Sequence, residues 1–157
     1  MEKFLNLAMD PAQWMVLVKL LVAFFLGGII GWEREIHDKP AGLRTHMLVA
    51  GASALLMEVN YIVAAYQGNI PGAADPVRTV QAIVTGITFL GAGTIIRGQS
   101  QKVEGLTTAA TILMASVVGI YVGLSQHVAA LGIAVFTVIT LRLASYNHRH
   151  RHHDSAE

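Results

Sequence analysis

The chain contains no cysteine and few charged residues, which make up 13% of its 157 positions. The absence of cysteine excludes disulfides and leaves the redox compartment open. Soluble domains carry about 25% charged residues, so the scarcity of charge favours a protein that lies in a lipid bilayer. A hydrophobic fraction of 54% points the same way. The formal net charge of +1 is close to neutral, so we expect no nucleic-acid partner.

Motifs for catalysis and nucleotide binding are missing as well. The sequence has no Ser-His-Asp arrangement, no thiol nucleophile and no carboxylates at metal-ligand spacing. Its glycine-rich stretches lack the Gly-Lys-Ser/Thr of a phosphate loop and the preceding strand of a dinucleotide fingerprint. We therefore expect a protein that is not an enzyme and that has no cofactor and no metal centre.

Five apolar segments are each close to the roughly 20 residues that cross a bilayer. They cover residues 13–32, 45–66, 77–96, 106–124 and 127–144. Every backbone amide in lipid must find an internal partner, so the segments predict an all-α, polytopic bundle of five transmembrane helices. Only Ser125 and Gln126 separate the last two segments, which predicts a tight helical hairpin.

The distribution of Lys and Arg predicts the orientation of these helices. The first-to-second and third-to-fourth connections and the C-terminal end carry eight basic residues, namely Arg34, Lys39, Arg44, Arg97, Lys102, Arg142, Arg149 and Arg151. The opposite side carries only three, which are Lys3, Arg78 and Lys19, and Lys19 is expected to snorkel outward from the first span. We predict an outside N-terminus, an outside turn over residues 67–76 and a cytoplasmic C-terminus.

A run of His and Arg ends the chain over residues 148–153. Such a run could bind a metal loosely or touch anionic lipid, but it is more typical of a disordered, solvated end. We therefore predict a transmembrane domain over residues 1–146 and a disordered cytoplasmic tail over residues 147–157.

Two glycine-rich stretches nearly repeat each other. The offset is 64 positions from Phe25 to Phe89 and 63 from Lys39 to Lys102. This spacing predicts a two-helix unit duplicated in parallel, and chance similarity is the alternative. The pairs Gly27 with Gly31 and Gly119 with Gly123 predict close helix packing. For Gly91 and Gly93, a broken-helix ion site and plain packing both stay open.

A polar stripe follows the third apolar segment. Arg78, Gln81, Thr85 and Thr88 recur at steps of three, four and three, so they share one helix face that is expected to point into the bundle. The functional interpretation is a polar path or a ligand contact. The structural one, which the hydroxyls favour, is a set of hydrogen bonds within or between helices.

Charges are dense in the connection after the first segment. Their spacing predicts that the first helix runs past the bilayer until Pro40 and Gly42 end it. The expected pairs are Arg34 with Asp38, Glu35 with Lys39, and Arg44 with Glu33 or Glu35. This loop could bind a partner protein or gate a pore, or it could be an ordinary basic inner loop.

Two acids occupy contrasting positions. Glu58 is the only carboxylate deep within an apolar segment, which makes it a functional candidate, although Asn60 and Tyr61 favour a place near the outer edge. Asp75 precedes the third segment and is expected to cap the free amides of its first turn, which explains this residue without a metal.

Four motifs follow one another along nearly the whole predicted membrane part. They are residues 27–35 with Lys39-Pro40-Ala41-Gly42-Leu43-Arg44-Thr45-His46, then Asp75-Pro76-Val77-Arg78 with residues 81–87, then Phe89-Leu90-Gly91-Ala92-Gly93-Thr94, and then Gly105-Leu106-Thr107-Thr108-Ala109-Ala110. In this order they resemble the MgtC/SapB family of bacterial inner-membrane proteins. The chain departs from the family pattern at Thr88, Glu104 and Leu113. It also stops soon after the fifth segment, whereas longer relatives carry a soluble C-terminal domain.

The resemblance implies a multi-pass protein of the bacterial inner (plasma) membrane, tied to growth in scarce magnesium and, in some pathogens, to virulence through survival inside macrophages. Members of the family are described as regulators of other membrane proteins, including the proton-driven ATP synthase. An ATPase activity does not fit, because the chain has neither a nucleotide site nor a phosphorylatable Asp motif.

Two functions from different classes remain open. One is a regulator that docks on another membrane complex, and the other is a small channel or transporter for magnesium or protons. The expected partners are the lipid bilayer, such a complex and a second copy in a dimer. The candidate functional residues are Glu33, Arg34, Glu35, Lys39, Arg44, Asp75, Arg78, Gln81, Thr85, Gly91, Gly93, Thr107 and Thr108.

Overall fold

A computed structural model describes residues 11–67, 75–97 and 103–153. Within these ranges the chain forms five α-helices, as the apolar segments predict: α1 (Pro11–Ile36), α2 (Leu43–Gln67), α3 (Pro76–Ala92), α4 (Leu106–Gly123) and α5 (His127–His153). A short antiparallel ribbon joins α3 to α4 and pairs β1 (Ile96–Arg97) with β2 (Val103–Glu104). Lys102 is not among the described residues. The same holds for residues 68–74, which form most of the predicted outside turn.

Three helices are long and apolar enough to cross a membrane. They contain the stretches Gln13–Ile36, Leu43–Val63 and Leu106–Gly123, on α1, α2 and α4. Helix α3 has 17 residues, and the apolar part of α5 covers His127–Leu143. Crossing by all five helices, the orientation of the termini and the parallel repeat therefore stay predictions.

The end of α3 corrects the predicted third span, which extends to residue 96. The helix stops at Ala92 because its last carbonyls are taken by the turn that follows. The amide of Gly93 donates to Phe89 O, and both the amide and the hydroxyl of Thr94 donate to Gly91 O, at 2.9 and 2.7 Å. The chain then enters the ribbon, so α3 ends four residues earlier than expected.

Gly105 closes the ribbon and starts α4 in a left-handed conformation, with φ of 88°. A Cβ at this position would collide with the carbonyl group of Thr94, so the turn requires glycine for both conformation and space.

The predicted hairpin between α4 and α5 is confirmed, and Ser125 turns the chain there with φ of 61°.

Helix α4 is the centre of the bundle and contacts each of the other four helices. Its Val118 and Val122 are fully buried. They pack with small and aliphatic side chains from α1, α2 and α5, namely Ala23, Leu26, Ile30, Ala50, Ala54, Ala130 and Ala134. The many alanines in this core allow helix backbones to approach closely.

Glycines make the closest contacts, as the GxxxG pairs predict. On α1, a Cβ on Gly27 would lie 2.6 Å from His46 O, and one on Gly31 would lie 2.7 Å from the Cα of Leu43. On α4, a Cβ on Gly123 would lie 2.6 Å from the Cβ of Met57. Helix α2 therefore lies tightly between α1 and α4.

The two halves of the predicted repeat differ locally. Gly27 and Gly28 lie inside α1, which continues to Ile36, whereas Gly91 and Gly93 lie at the end of α3.

Helix α5 extends to His153, beyond the apolar segment that ends at residue 144. The side chains from residue 144 onward lie outside the described part, so the division at residue 146, the disorder of the tail and its metal or lipid binding stay predictions.

Gly119→Ala should destabilise the bundle by about 1–3 kcal/mol, because the added methyl group would collide with the main-chain carbonyl of Ala50. Gly132→Ala on α5 is the matched control, since no atom lies within 4 Å of its added Cβ. This control should be neutral or stabilise by up to about 1 kcal/mol, because alanine is the better helix former. Chemical unfolding in detergent micelles, followed by circular dichroism, measures both, and equal stability of the two variants would contradict the packing described.

Candidate functional site

Lys19 of α1 and Glu58 of α2 form an ion pair inside the bundle. Their side chains are 9% and 11% exposed, and Lys19 Nζ also donates to the carbonyl oxygen of Gly123 on α4, at 3.1 Å. The pair thus joins three helices. It corrects one expectation, because Lys19 does not snorkel outward, and it pairs the Glu58 carboxylate with a lysine inside the bundle.

The sequence contained a signal for this pair. Lys19 is the only charged residue within the first apolar segment, and Glu58 is the only carboxylate deep within the second. Lys19 lies six positions after the first segment begins, and Glu58 lies eight positions before the second segment ends. These two segment ends lie side by side when neighbouring helices run antiparallel, so the two residues reach similar depths. Opposite charges isolated in neighbouring spans are expected to pair, because an unpaired charge in hydrocarbon is strongly unfavourable.

A second group of charges, which we call the charged node, lies where α1 ends and α2 begins. It consists of Glu33, Arg34, His37 and His46. Glu33, Arg34 and His46 are only 2%, 5% and 0% exposed, so these residues do not form an ordinary solvated loop. Their burial follows from the tight contact of α1 and α2 at Gly27 and Gly31.

Contacts within the charged node leave some polar atoms without partners. Glu33 Oε1 lies 3.2 Å from His37 Nδ1, and Glu33 Oε2 lies 3.7 Å from Arg34 Nη1, which is too long for a hydrogen bond. His46 Nδ1 lies 2.8 Å from Gly42 O. Glu33 Oε2, Arg34 Nε and His46 Nε2 are buried and have no hydrogen-bond partner among the described residues.

The three ion pairs expected in the inner connection do not form. Helix α1 ends at Ile36, and Asp38 turns the chain with φ of 51°, which removes Asp38 and Lys39 from the helical spiral that would place them beside Arg34 and Glu35. Arg34 instead turns toward Glu33, and Glu35 accepts the backbone N–H of Leu43 at 2.6 Å. Lys39 and Arg44 are exposed.

The polar stripe of α3 lies on the outside of the chain, not inside the bundle. Arg78, Gln81, Thr85 and Thr88 are all exposed. The hydroxyls of Thr85 and Thr88 donate to the carbonyls of Gln81 and Val84 on their own helix, at 2.8 and 2.7 Å. The expectation of an inward face is therefore wrong for a single chain, because α3 packs on α2 and α4 through its other side, where Ile83 is buried beside Met57 and Ile120.

The other candidates have structural roles or are exposed. Asp75 caps α3 as expected, since its Oδ1 accepts the amides of Val77 and Arg78 at 2.9 and 3.2 Å. Gly93 is the C-cap of α3, and α3 ends there without resuming, which favours packing over a broken-helix ion site. Thr107 is exposed, whereas Thr108 is buried in α4.

No group of three or more His, Asp or Glu side chains that could hold a metal ion occurs within the described ranges. What the structure brings together is therefore two buried charge clusters on α1 and α2, and an exposed polar face on α3.

Lys19→Met should destabilise the protein by about 3–5 kcal/mol, because it leaves the Glu58 carboxylate buried without a counter-charge. The double variant Lys19→Met/Glu58→Met should regain most of that loss, since it leaves no buried charge. Chemical unfolding in detergent micelles gives the free energies, and Lys39→Met at an exposed lysine is the control. A double variant less stable than Lys19→Met alone would show that the pair is not the reason for the loss.

Sequence comparisons place the chain among known proteins. The protein "Putative magnesium transporter YhiD" of Escherichia coli K12 is 36% identical over 128 residues, which cover 81% of this chain and 59% of the relative. Protein SapB of Bacillus subtilis is 36% identical over 80% of this chain and 55% of its own length. Protein MgtC of Brucella abortus is 39% identical over 76% of this chain and 48% of its own length.

The chain thus spans about half to three fifths of the length of these relatives. No solved structure matches it. The model of the MgtC family matches residues 20–150, a range that includes all four motifs. The identity to relatives and the extent of this match agree, and the chain therefore belongs to the MgtC family.

Proposed function

We propose that the chain is a regulatory protein of the bacterial inner membrane that docks on another membrane complex and so contributes to adaptation to low magnesium. The complex that the family resemblance suggests is the proton-driven ATP synthase. One observation carries the proposal: the polar face of α3 is exposed in the single chain.

Gln81 is the decisive residue of that face. The threonine hydroxyls are satisfied by their own helix, whereas the Gln81 side-chain amide makes no hydrogen bond to any described residue. Polar side chains in membrane helices almost always face protein or water rather than lipid. In the predicted five-crossing arrangement, Gln81 therefore favours a protein partner that covers α3.

Features beside this face suit a helix as the covering partner. Gly86 borders a groove that α3 shares with α2, and nothing lies within 4 Å of a Cβ built on it, so another backbone can approach closely there. Lys39 and Arg44 are exposed in the connection between α1 and α2 and offer positive charge to a partner's surface. The interior is occupied by the core cluster and the Lys19–Glu58 pair, which favours action through the surface over conduction through one chain.

A dimeric channel or transporter for magnesium or protons is the second candidate. The same observation supports it, because two α3 faces apposed in a dimer would place both stripes along a shared polar path. The name of the Escherichia coli relative, which describes a putative magnesium transporter, also supports it.

The docking proposal is tested with a photo-crosslinking residue in place of Thr85, in cells grown in low magnesium. We expect crosslinks to membrane subunits of the ATP synthase, identified by mass spectrometry. The matched control is the same residue in place of Phe136 on α5, which is 74% exposed and lies outside the stripe. Gln81→Leu should lower the Thr85 yield about 5–30-fold, as the loss of 1–2 kcal/mol of interhelical hydrogen bonding predicts, and Arg44→Ala should lower it further. Equal subunit yields from positions 85 and 136 would refute docking through α3.

The transport candidate is tested with purified protein in liposomes that contain a magnesium-sensitive or a pH-sensitive dye. A channel through paired α3 faces should pass one of these ions, and Gln81→Leu should abolish the flux because it removes the amide from the path. Gly132→Ala on α5 serves as the control that keeps the stripe intact. Vesicles that stay tight under both gradients would rule this candidate out.

A further inference from the structure

A cleft opens on the side of the bundle between α1, α2 and α5. Its volume is about 470 Å³, which lies within the range of about 300–1,000 Å³ usual for ligand sites. The described residues that line it are apolar or glycine except for Glu33 and Arg142, and the apolar ones include Phe25, Trp32 and Val138. Phe25 and Trp32 are 68% and 58% exposed, so the cleft is open to the surroundings of the helices.

The two charged lining residues have opposite signs and stand on different helices. Glu33 belongs to α1, and its side chain is 97% buried, with Oε2 free of any hydrogen bond within the described chain. Arg142 belongs to α5 and is exposed. The cleft therefore has on one wall a buried carboxylate whose Oε2 lacks a hydrogen-bond partner, and on another wall a guanidinium, beside a long apolar surface.

We propose that this cleft binds a phospholipid whose headgroup carries a primary amine, of which phosphatidylethanolamine is the probe. The ammonium group donates to Glu33 Oε2, the phosphate pairs with Arg142, and an acyl chain lies along Phe25 and Trp32. The proposal goes beyond docking through α3, because it concerns a different face of the bundle.

Charge and polarity select this occupant. A primary ammonium supplies N–H donors to the free carboxylate oxygen, whereas the quaternary ammonium of phosphatidylcholine has none. An anionic lipid such as phosphatidylglycerol would satisfy Arg142, but it would offer Glu33 Oε2 only neutral hydroxyl donors and would bring a net negative charge close to this carboxylate. A water-soluble amine would gain nothing from the apolar walls, most of which lie on α1 and α2, two helices that are long and apolar enough to span a membrane.

The two tryptophans of the chain provide a matched pair of probes on α1. Trp32 lines the cleft, and Trp14 does not, although the two are similarly exposed, at 58% and 61%. Trp14→Phe leaves Trp32 as the sole tryptophan, and Trp32→Phe leaves Trp14. Each single-tryptophan protein is placed in vesicles with a small fraction of lipid that has brominated acyl chains, which quench fluorescence on contact.

Brominated phosphatidylethanolamine should quench Trp32 with an apparent affinity roughly tenfold above that of brominated phosphatidylcholine, as a hydrogen bond to a charged group predicts. Trp14 should respond equally to both lipids. Arg142→Gln should weaken the quenching of Trp32 by both lipids, because both carry the phosphate. Glu33→Gln should remove the preference for the amine while leaving the binding of the shared phosphate.

Three results would overturn the proposal. Equal quenching of Trp32 by the two lipids would show that the amine is not recognised, and stronger quenching by brominated phosphatidylglycerol would identify an anionic-lipid site. Absence of quenching by every lipid would show that protein, such as a second copy, covers the cleft. Glu33 also contacts Arg34 and His37, so the quenching of Glu33→Gln is interpreted only if the circular dichroism of this variant matches that of the parent. If the two spectra differ, the comparison with Arg142→Gln decides whether the lipid binds in the cleft.

Discussion

The bundle depends on how closely α2 approaches its two neighbours. Gly27 and Gly31 of α1 leave no room for a side-chain atom against α2, and neither do Gly119 and Gly123 of α4. Lipid provides little hydrophobic drive for helix association, so contact between backbones and the hydrogen bonds that it permits must hold the helices together. The same closeness buries Lys19, Glu58, Glu33 and His46, which would face lipid or water if the helices stood further apart.

Local pattern predicted the five helices because each one contains a long apolar run. The cap at Asp75, the turn at Ser125 and the GxxxG contacts follow from residues that are neighbours in sequence. The early end of α3 could not be predicted in this way. It depends on the pairing of β1 with β2 and on Thr94, which takes the carbonyl of Gly91. Apolar composition continues past that point, and the glycines at positions 91 and 93 were equally compatible with plain helix packing.

The site was predicted less well, because its geometry depends on which helices meet. Spacing correctly grouped Arg78, Gln81, Thr85 and Thr88 on one face, yet spacing cannot tell on which side of α3 its neighbour packs. The expected ion pairs of the inner connection failed for a different reason. Those pairs required α1 to continue past Ile36, but Asp38 adopts a left-handed conformation and turns the chain away from the helix axis. Charges near a helix end are thus easy to find in a sequence and hard to pair.

The buried pair of Lys19 and Glu58 also bears on how the protein enters its membrane. Either helix alone would expose one uncompensated charge to hydrocarbon, and the other helix holds its neutralising partner. Only residues 37–42 separate α1 from α2. In the predicted five-crossing arrangement, the favourable course of biosynthesis is for α1 to wait at the translocon until α2 has emerged from the ribosome, so that the two pass into lipid together as a hairpin.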